Sequence, residues 1–373
     1  MEFSVFRSDL LKELELVHGA IERKASVPVL SNVLIDAQNG KLALSATNLA
    51  IGLCSYAVAA IKTPGSVTVP ARRSLEILRS LPEADIRFKA LENHWVQVTC
   101  GRSSFKLAGI AGDTFPKFPE VPKTNVTVPS ETLAAMLRRT AFAVSNDEGR
   151  FTLNAVLFVA KGNCIRMVAT DGFRLALVEK EVAGLNVAEE LRVLIPKEAA
   201  HQLCVLLTLR KQDELTGIAK DEQHLFFTQN ERVLVSRALA GQFPNYESIL
   251  PQNDRALEAD RRTLLRAVER VELVTDENRP SVVLEAEPGE LTLKGSSQDC
   301  GKGSDTIAVE FAGEALRVSF NPRYLAEFLS AVSGAERVRL SFKDSKSAAE
   351  LQPIGDEGYR YIAMPIQGIE SAA

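Results

Sequence analysis

The stretch ATDGFRLAL, residues 169–177, holds the residue types in this chain that could do chemistry. An Asp-Gly pair with a Thr before it and an Arg after it could form a catalytic turn, a metal site or a surface that binds without reacting. Asp147 and Glu148 could join Asp171 in a general acid/base set, but their spacing does not require one. Asp171-Gly172 lies between two strand-like runs, IRMVAT and FRLALVE, which favours a hairpin turn with a structural Asp.

Other signatures of reactive sites are missing from the sequence. There is no GxSxG, GxxxxGK[ST] or GxGxxG motif after a strand, and the four histidines have no paired-ligand spacing. The five cysteines lie far apart without a CxxC pair, which favours buried thiols in a reducing compartment over disulfides or zinc. The sequence therefore predicts no catalytic residue, no metal site and no cofactor.

Length and composition indicate an ordinary globular chain. Its 373 residues suggest two or three domains, and its net charge of −4 does not by itself suggest a nucleic-acid binder. No charged-then-apolar leader opens the sequence, and no apolar run approaches the length of a membrane span. These features predict a soluble cytoplasmic protein without a membrane partner.

The elements that would position ATDGFRLAL belong to a repeat. Six segments run from an extended stretch through a polar or proline starter into an amphipathic helix, and we predict the helices at 8–24, 71–80, 131–140, 197–211, 260–273 and 321–330. Ser8 and Ser130 are the predicted N-caps. Pro70, Pro196 and Pro322 stand at helix openings, where an N–H is expendable.

Alternating strands follow the helices. In residues 28–53, 151–179 and 279–301 they are joined by turns containing Asn-Gly, Lys-Gly-Asn or Pro-Gly. The predicted unit is a helix plus a β-meander, and two units make one domain. Two proline-rich links that share the pattern Phe-Pro-x-aromatic, at 114–125 and 242–254, should pack as fixed connections. The prediction is an α+β fold with three similar domains at 1–122, 123–252 and 253–373.

Charge is unevenly distributed between the predicted helices and the rest of the chain. The helices contain 16 Lys and Arg against 11 Asp and Glu, whereas the remainder has 28 against 37. Comparatively basic helices could face polyanionic phosphate through sequence-independent, salt-sensitive contacts. Ordinary solvated helix faces would give a similar pattern.

Taken together, these motifs resemble the bacterial DNA polymerase sliding clamp family, the beta subunit of polymerase III. The resemblance covers essentially the whole chain and rests on PVLSNVLI, VTVPARRSLEILRSLP, GRSSFKLAG, ATDGFRLAL, FPNYESILP and the near-terminal YRYIAMPI. It implies a non-catalytic head-to-tail homodimer with helices lining a central hole and sheets outside. Such a ring slides on duplex DNA and tethers the replicative polymerase, clamp loader subunits and other proteins with a clamp-binding motif.

The resemblance also implies site residues. A partner-peptide pocket maps to Leu153, Thr170, Gly172, Phe173, Arg174, Leu175, Pro244, Ile249, Asn321, Tyr324, Ile362, Ala363, Met364, Pro365 and Ile366. Its leucines, isoleucines and Met364 would line an apolar groove, and Thr170 and Arg174 would orient a peptide backbone. DNA contacts map to Arg23, Lys24, Arg72, Arg73 and Phe151, and the dimer seam maps to Phe105, Leu273 and Val274.

Several positions depart from the family pattern, and two other functions stay open at this point. Phe173 stands where His is frequent, the acidic pair at 147–148 lies near the expected DNA path, and the pocket differs at Ser248, Lys346, Ala348 and Gln367. The alternatives to a clamp are a peptide-binding scaffold that forms no ring and an enzyme that uses the Asp171 and Arg174 turn.

Overall fold

A computed structural model describes residues 1–22, 27–147 and 149–367. Within these ranges the six helices are α1 (Arg7–His18), α2 (Ala71–Ser80), α3 (Ser130–Thr140), α4 (Lys197–Thr208), α5 (Arg261–Glu272) and α6 (Pro322–Ala331). Each helix follows a strand and precedes a run of antiparallel strands, so the predicted strand–helix–meander order is confirmed.

The strands are introduced here in chain order. The first third contains β1 (Glu2–Phe6), β2 (Asn32–Gln38), β3 (Lys41–Thr47), β4 (Ile51–Val58), β5 (Ala60–Thr63), β6 (Gly65–Pro70), β7 (Asp85–Ala90), β8 (Trp95–Cys100), β9 (Ser103–Ala108) and β10 (Ile110–Ala111). The middle third contains β11 (Val126–Pro129), β12 (Ala155–Gly162), β13 (Cys164–Thr170), β14 (Arg174–Glu181), β15 (Val187–Pro196), β16 (Leu215–Lys220), β17 (His224–Gln229) and β18 (Arg232–Arg237). The last third contains β19 (Arg255–Asp260), β20 (Val282–Glu287), β21 (Glu290–Ser297), β22 (Gly301–Ala308), β23 (Leu316–Phe320), β24 (Arg337–Phe342), β25 (Ala349–Pro353) and β26 (Tyr359–Ala363).

Strand pairing explains why two units make one predicted domain. The strand that opens each unit pairs with the meander of the other unit: β1 with β7 and β6 with β2, β11 with β16 and β15 with β12, β19 with β24 and β23 with β20. One unit alone would leave that meander with an open edge. The exchange of opening strands therefore joins the two units.

Two further pairings connect the predicted domains to one another. β4 pairs with β18 in a nine-stranded sheet, and β14 pairs with β26 in an eight-stranded sheet. By compactness the chain divides into two bodies, which are distinct from the helix-plus-meander units. One body contains residues 1–134 and 198–238, and the other contains residues 135–197 and 239–373. This division cuts the sequence differently from three domains in succession, because these sheets combine strands from adjacent thirds of the chain. The boundaries near 122 and 252 stay a prediction.

The predicted end of the first helix was wrong. α1 ends at His18 rather than at residue 24, and the N–H groups of Gly19, Ala20 and Ile21 donate to carbonyls three residues back. Bonds of this kind tighten and end a helix. The same pattern at Leu209 and Arg210 ends α4 at Thr208 rather than at residue 211.

The predicted serine caps were also wrong. α1 begins one residue before Ser8, whose backbone N–H donates to a Glu83 carboxylate oxygen at 2.9 Å. Ser130 lies inside α3, and its hydroxyl forms a 2.7 Å hydrogen bond with the Thr216 hydroxyl. The side chains that do cap helices are Asp260, which accepts from the Thr263 N–H, and Asn321, which accepts from the Arg323 N–H. Asp and Asn are favoured at such positions because their oxygen satisfies an otherwise unpaired N–H.

Other local expectations are confirmed. Gly40 and Gly289 have positive φ in the turns that follow β2 and β20, and Gly162 has positive φ at the end of β12. Phe115, Phe243 and Tyr246 of the two proline-rich links are buried. The five cysteines carry free thiols, but the expected burial holds for Cys100 alone, because Cys54, Cys164 and Cys204 are half-buried and Cys300 is exposed. In the described part of the chain, no helix has the length and apolar character needed to cross a membrane.

Candidate functional site

The β13–β14 hairpin carries ATDGFRLAL, and its turn is closed by its own polar groups. The Thr170 hydroxyl donates to the Arg174 carbonyl at 2.5 Å and accepts from the Gly172 N–H at 3.1 Å. Asp171 Oδ1 accepts from the N–H groups of Phe173 and Arg174 at 2.9 and 3.0 Å. Asp171 Oδ2 accepts from Arg174 Nε at 3.0 Å. Both carboxylate oxygens of Asp171 therefore hold the turn, which agrees with the prediction of a hairpin turn with a structural Asp.

Arg174 is a buried side chain with several partners. It is 8% exposed, and besides Asp171 it pairs with Glu327 and donates from Nη2 to the Phe142 carbonyl at 2.8 Å. Its guanidinium lies 4.4 Å from the centre of the Tyr324 ring. A buried arginine needs such partners because an unpaired buried charge is costly. Thr170 and Arg174 thus hold the site from inside, and their role in orienting a peptide stays a prediction.

The start of α6 is fixed against the same framework. The Tyr361 hydroxyl donates to the Tyr324 carbonyl at 3.0 Å, and burial raises the pKa of Tyr361, so this hydroxyl stays protonated at neutral pH. Asn321 is occupied as the helix cap. The Ile366 N–H donates to the Ser319 carbonyl at 2.8 Å, which holds the segment after β26 beside β23. These contacts join Tyr324 to β26 and Ile366 to β23, and the Tyr324 ring also lies against Arg174 of the hairpin.

An apolar cluster lies against this frame. It is formed by buried residues of the hairpin sheet and of the second proline-rich link: Ala155, Leu157, Val168, Leu175, Leu177, Leu194, Phe243, Tyr246 and Ile362. Leu175 and Ile362 are cross-strand partners in the β14–β26 pair. The structure therefore brings these two predicted pocket residues together with the link that carries Pro244 and Ile249.

Three predicted pocket residues present their apolar side chains to solvent. Phe173 is 59% exposed, Ile249 54% and Met364 45%. The Met364 N–H donates to the Phe173 carbonyl at 2.9 Å, so these two residues are neighbours. Ile249 ends a short 3-10 helix, Glu247–Ile249, that begins after buried Tyr246. We call Phe173, Ile249 and Met364 the apolar patch, in which the place of Ile249 beside the other two stays a prediction from the family resemblance.

The remaining predicted pocket residues are spread around the patch. Leu153 is buried in the loop before β12, and Arg150 of that loop lies beside Gly172. Ala363 and Pro365 are buried on either side of Met364, and Pro244 is exposed. Ala363 pairs with Arg174 across β14 and β26.

Sequence reasoning missed the residues that hold the second link in place. Arg166 on β13 donates to the Tyr246 hydroxyl at 2.9 Å and pairs with Glu179 and with Glu247 of the link. Phe142 and Glu327, the partners of Arg174, were missed as well. The Phe-Pro-x-aromatic pattern signalled that the link is fixed, but the partner of Arg166 lies 80 residues away and leaves no local pattern.

The predicted DNA contacts are only partly described. Arg23 and Lys24 lie outside the described residues. Arg72 and Arg73 are exposed on α2, and both pair with Glu76 at 3.0 and 2.8 Å. With the observed helix bounds, basic residues still exceed acidic ones, 13 to 9. Exposed pairs of this kind contribute little stability and can exchange for phosphate. Phe151 is 56% exposed.

The predicted dimer residues lie at sheet edges or beside one. Phe105 is on β9, the edge strand of a five-stranded sheet. Leu273 follows α5 and is 78% exposed, and Val274 contacts Gly303 on β22, the edge strand of a four-stranded sheet. Open edges of this kind expose backbone groups that can pair with another chain.

Fold and site together define a class of protein. It is built of repeated helix-plus-meander units, and its β13–β14 hairpin supports exposed apolar residues on a framework of hydrogen bonds. Family models for the N-terminal, central and C-terminal domains of the DNA polymerase III beta subunit match residues 1–119, 127–245 and 247–367. The chain belongs to this family, the bacterial beta sliding clamps.

Relatives and solved structures are similar over the whole chain. The beta sliding clamp of Pseudomonas aeruginosa is 32% identical, with 98% of this chain and 100% of the relative covered. A crystal structure of the Pseudomonas aeruginosa clamp bound to griselimycin is 32% identical at a TM-score of 0.92, covering 99% of this chain and 100% of that one. The Bartonella birtlesii clamp, also bound to griselimycin, is 31% identical at a TM-score of 0.93, with the same coverage. Because this family is non-catalytic, the enzyme alternative was wrong.

Backbone strain at the hairpin turn gives a testable prediction. Gly172 has a φ of 92°, which side-chain-bearing residues rarely adopt. We expect Gly172→Ala to lower the free energy of unfolding by about 1–2 kcal/mol, measured by urea denaturation. Gly334→Ala is the matched control, because that glycine is outside the positive-φ region and a Cβ there meets nothing within 4 Å. Equal effects of the two substitutions would contradict strain at the turn.

Proposed function

We propose that this chain is a processivity factor that acts in the bacterial cytoplasm as a head-to-tail homodimeric ring around duplex DNA. Each protomer contributes three domains, near 1–122, 123–252 and 253–373, with helices toward the DNA and sheets outside. The observation that carries the proposal is the match of three consecutive clamp domain families along one chain. Closure, rather than affinity, then holds the protein on DNA.

Edge-strand pairing is the proposed means of closure. β9 is an edge strand in the first third of the chain and β22 is one in the last third. Pairing β9 of one protomer with β22 of its partner would satisfy backbone groups on both edges, and the head-to-tail arrangement repeats this contact twice. Exposed Leu273 and half-buried Phe105 would supply apolar contact at the seam.

Contact with DNA is proposed to be electrostatic and independent of sequence. Arg72 and Arg73 carry exposed guanidinium groups on one helix and share a single carboxylate, so one positive charge is in excess. Weak contacts of this kind let a ring slide because no base edge is read.

The apolar patch is proposed to bind the polymerase, clamp loader subunits and other partners. They would present a short linear motif with a Gln and a hydrophobic end. Phe173, Ile249 and Met364 offer exposed apolar area on a rigid frame, so little is lost in ordering the site. Met364 adapts its shape readily, which suits several partners at one site.

The peptide site is tested by truncating exposed side chains of the apolar patch while the buried residues that support them stay unchanged. We expect Phe173→Ala with Met364→Ala to weaken binding of a fluorescent peptide with a Gln and a hydrophobic end by about tenfold or more. Ile354→Ala is the matched control, since Ile354 is 39% exposed outside the patch. Fluorescence anisotropy measures the affinity, and unchanged binding in the double variant would reject the patch as the peptide site.

Ring closure is tested by topology. The protein, placed by a clamp loader on nicked circular DNA, should stay bound and should leave when the DNA is linearised. Leu273→Asp should give a monomer by light scattering and should not be retained, because a carboxylate would be buried at the seam. Leu215→Asp is the control, since Leu215 is 53% exposed away from both edge strands. Equal loss from circular and linear DNA would overturn the ring.

A further inference from the structure

The β3–β4 hairpin repeats four of the five hydrogen bonds that close the β13–β14 turn. The Thr47 hydroxyl donates to the Ile51 carbonyl at 2.7 Å and accepts from the Leu49 N–H at 3.0 Å. Asn48 Oδ1 accepts from the N–H groups of Ala50 and Ile51 at 3.0 and 2.8 Å, as Asp171 does in the other hairpin. Leu49 has a φ of 71°, at the place where Gly172 stands.

The surroundings of the two hairpins correspond as well. β18 pairs with β4 as β26 pairs with β14. The Arg237 N–H donates to the Ala50 carbonyl at 2.9 Å, which matches the bond between Met364 and Phe173 in position and length. The first proline-rich link lies beside this hairpin, as the second lies beside the other. The β3–β4 hairpin with β18 and the β13–β14 hairpin with β26 thus have the same backbone arrangement, and we call each of them a frame.

The side chains at the β3–β4 hairpin differ from those at the β13–β14 hairpin, and they leave a groove. Gly52 stands where the second hairpin has Leu175, and a Cβ there would lie 2.7 Å from the Phe118 ring and 2.9 Å from a Val235 methyl. Phe118 therefore occupies space that the larger residue would fill. Ile51 replaces Arg174, so no buried ion pair crosses this frame. An open groove of about 170 Å³ results, and we call it the first-hairpin groove.

The size and lining of the groove specify an apolar anchor. Leu49, which is 49% exposed, Ile51 and Phe118 contribute apolar walls, and Val235 of a buried cluster forms the base. A cavity of about 150 Å³ accommodates benzene. The first-hairpin groove therefore has room for one aliphatic or aromatic side chain, and the rest of a ligand would lie on the surface.

The rim of the groove is basic. Lys117 and Arg237 are exposed lining residues, and their side chains form no ion pair with any residue the structure describes. His224 is held by Asp221, whose Oδ2 lies 3.3 Å from Nδ1. Glu198 accepts from the Asn48 side-chain amide at 2.7 Å, so its charge is partly compensated. Two cations beside one apolar opening favour a ligand with carboxylates flanking a hydrophobic residue.

We propose that the first-hairpin groove is a second peptide-binding site, which takes an acidic linear peptide with one Leu or Phe anchor. The anchor enters between Leu49 and Phe118, and flanking Asp or Glu side chains contact Lys117 and Arg237. This site goes beyond the function proposed above and would exist whether or not the ring closes. Its preference is set by the two rim cations, Lys117 and Arg237.

The test uses the full-length protein without DNA and a hexapeptide probe in which Asp and Glu flank Leu and Phe. Methyl NMR should show saturable shifts at Leu49, Ile51 and Val235. Lys117→Glu with Arg237→Glu should weaken this binding by about tenfold, because both rim charges are reversed. Leu49→Gly should weaken it as well, and the positive φ there suits glycine, so the hairpin is kept.

Controls separate this site from the apolar patch. Phe173→Ala with Met364→Ala should leave the shifts at Leu49, Ile51 and Val235 unchanged, and a probe with Lys in place of the acidic residues should not bind. Absence of saturable shifts, or shifts that survive charge reversal, would overturn the proposal. Shifts produced by a single-stranded oligonucleotide but not by the acidic probe would overturn it in favour of nucleic acid. None of these results depends on closure of the ring.

Discussion

The pairing of strands that lie far apart in the sequence is the interaction on which the rest of this structure depends. Each unit of the repeat gives its opening strand to another unit, and β4–β18 and β14–β26 then extend the sheets across the predicted domain limits. Without these pairs the hairpins would end in open edges. The sheets position both hairpin turns, and β9 and β22 lie at sheet edges.

The same hairpin arrangement supports two different surfaces, because backbone hydrogen bonds set the turn geometry and side chains set the surface chemistry. Thr47 and Thr170 close their turns in the same way, so the turn geometry is independent of what surrounds it. Arg174 fills its frame with a buried ion pair and leaves the contact area to Phe173 and Met364. Gly52 leaves its frame open. The two hairpins therefore share a backbone arrangement and differ in side-chain chemistry.

Much of this structure was predictable from local patterns. The turn glycines, the prolines before helices and the apolar periodicity fix elements through contacts within a few residues, so the six units could be recognised. The end of α1, the capping of its first turn by Glu83 and the partners of Arg174 could not. Each depends on a contact made across the fold, and a single sequence carries no signal for the partner's position. Asp171 is an intermediate case, because its turn chemistry is local.

Salt distinguishes closure from affinity as the means by which the protein stays on DNA. Lifetimes should be measured on nicked circular and on linear duplex DNA after loading, at about 50 mM and about 200 mM NaCl, a range over which an electrostatic binder loses orders of magnitude in affinity. If closure holds the protein, its lifetime on circular DNA is long and barely changes with salt, and its lifetime on linear DNA is short. Lifetimes that fall equally with salt on both forms would contradict closure.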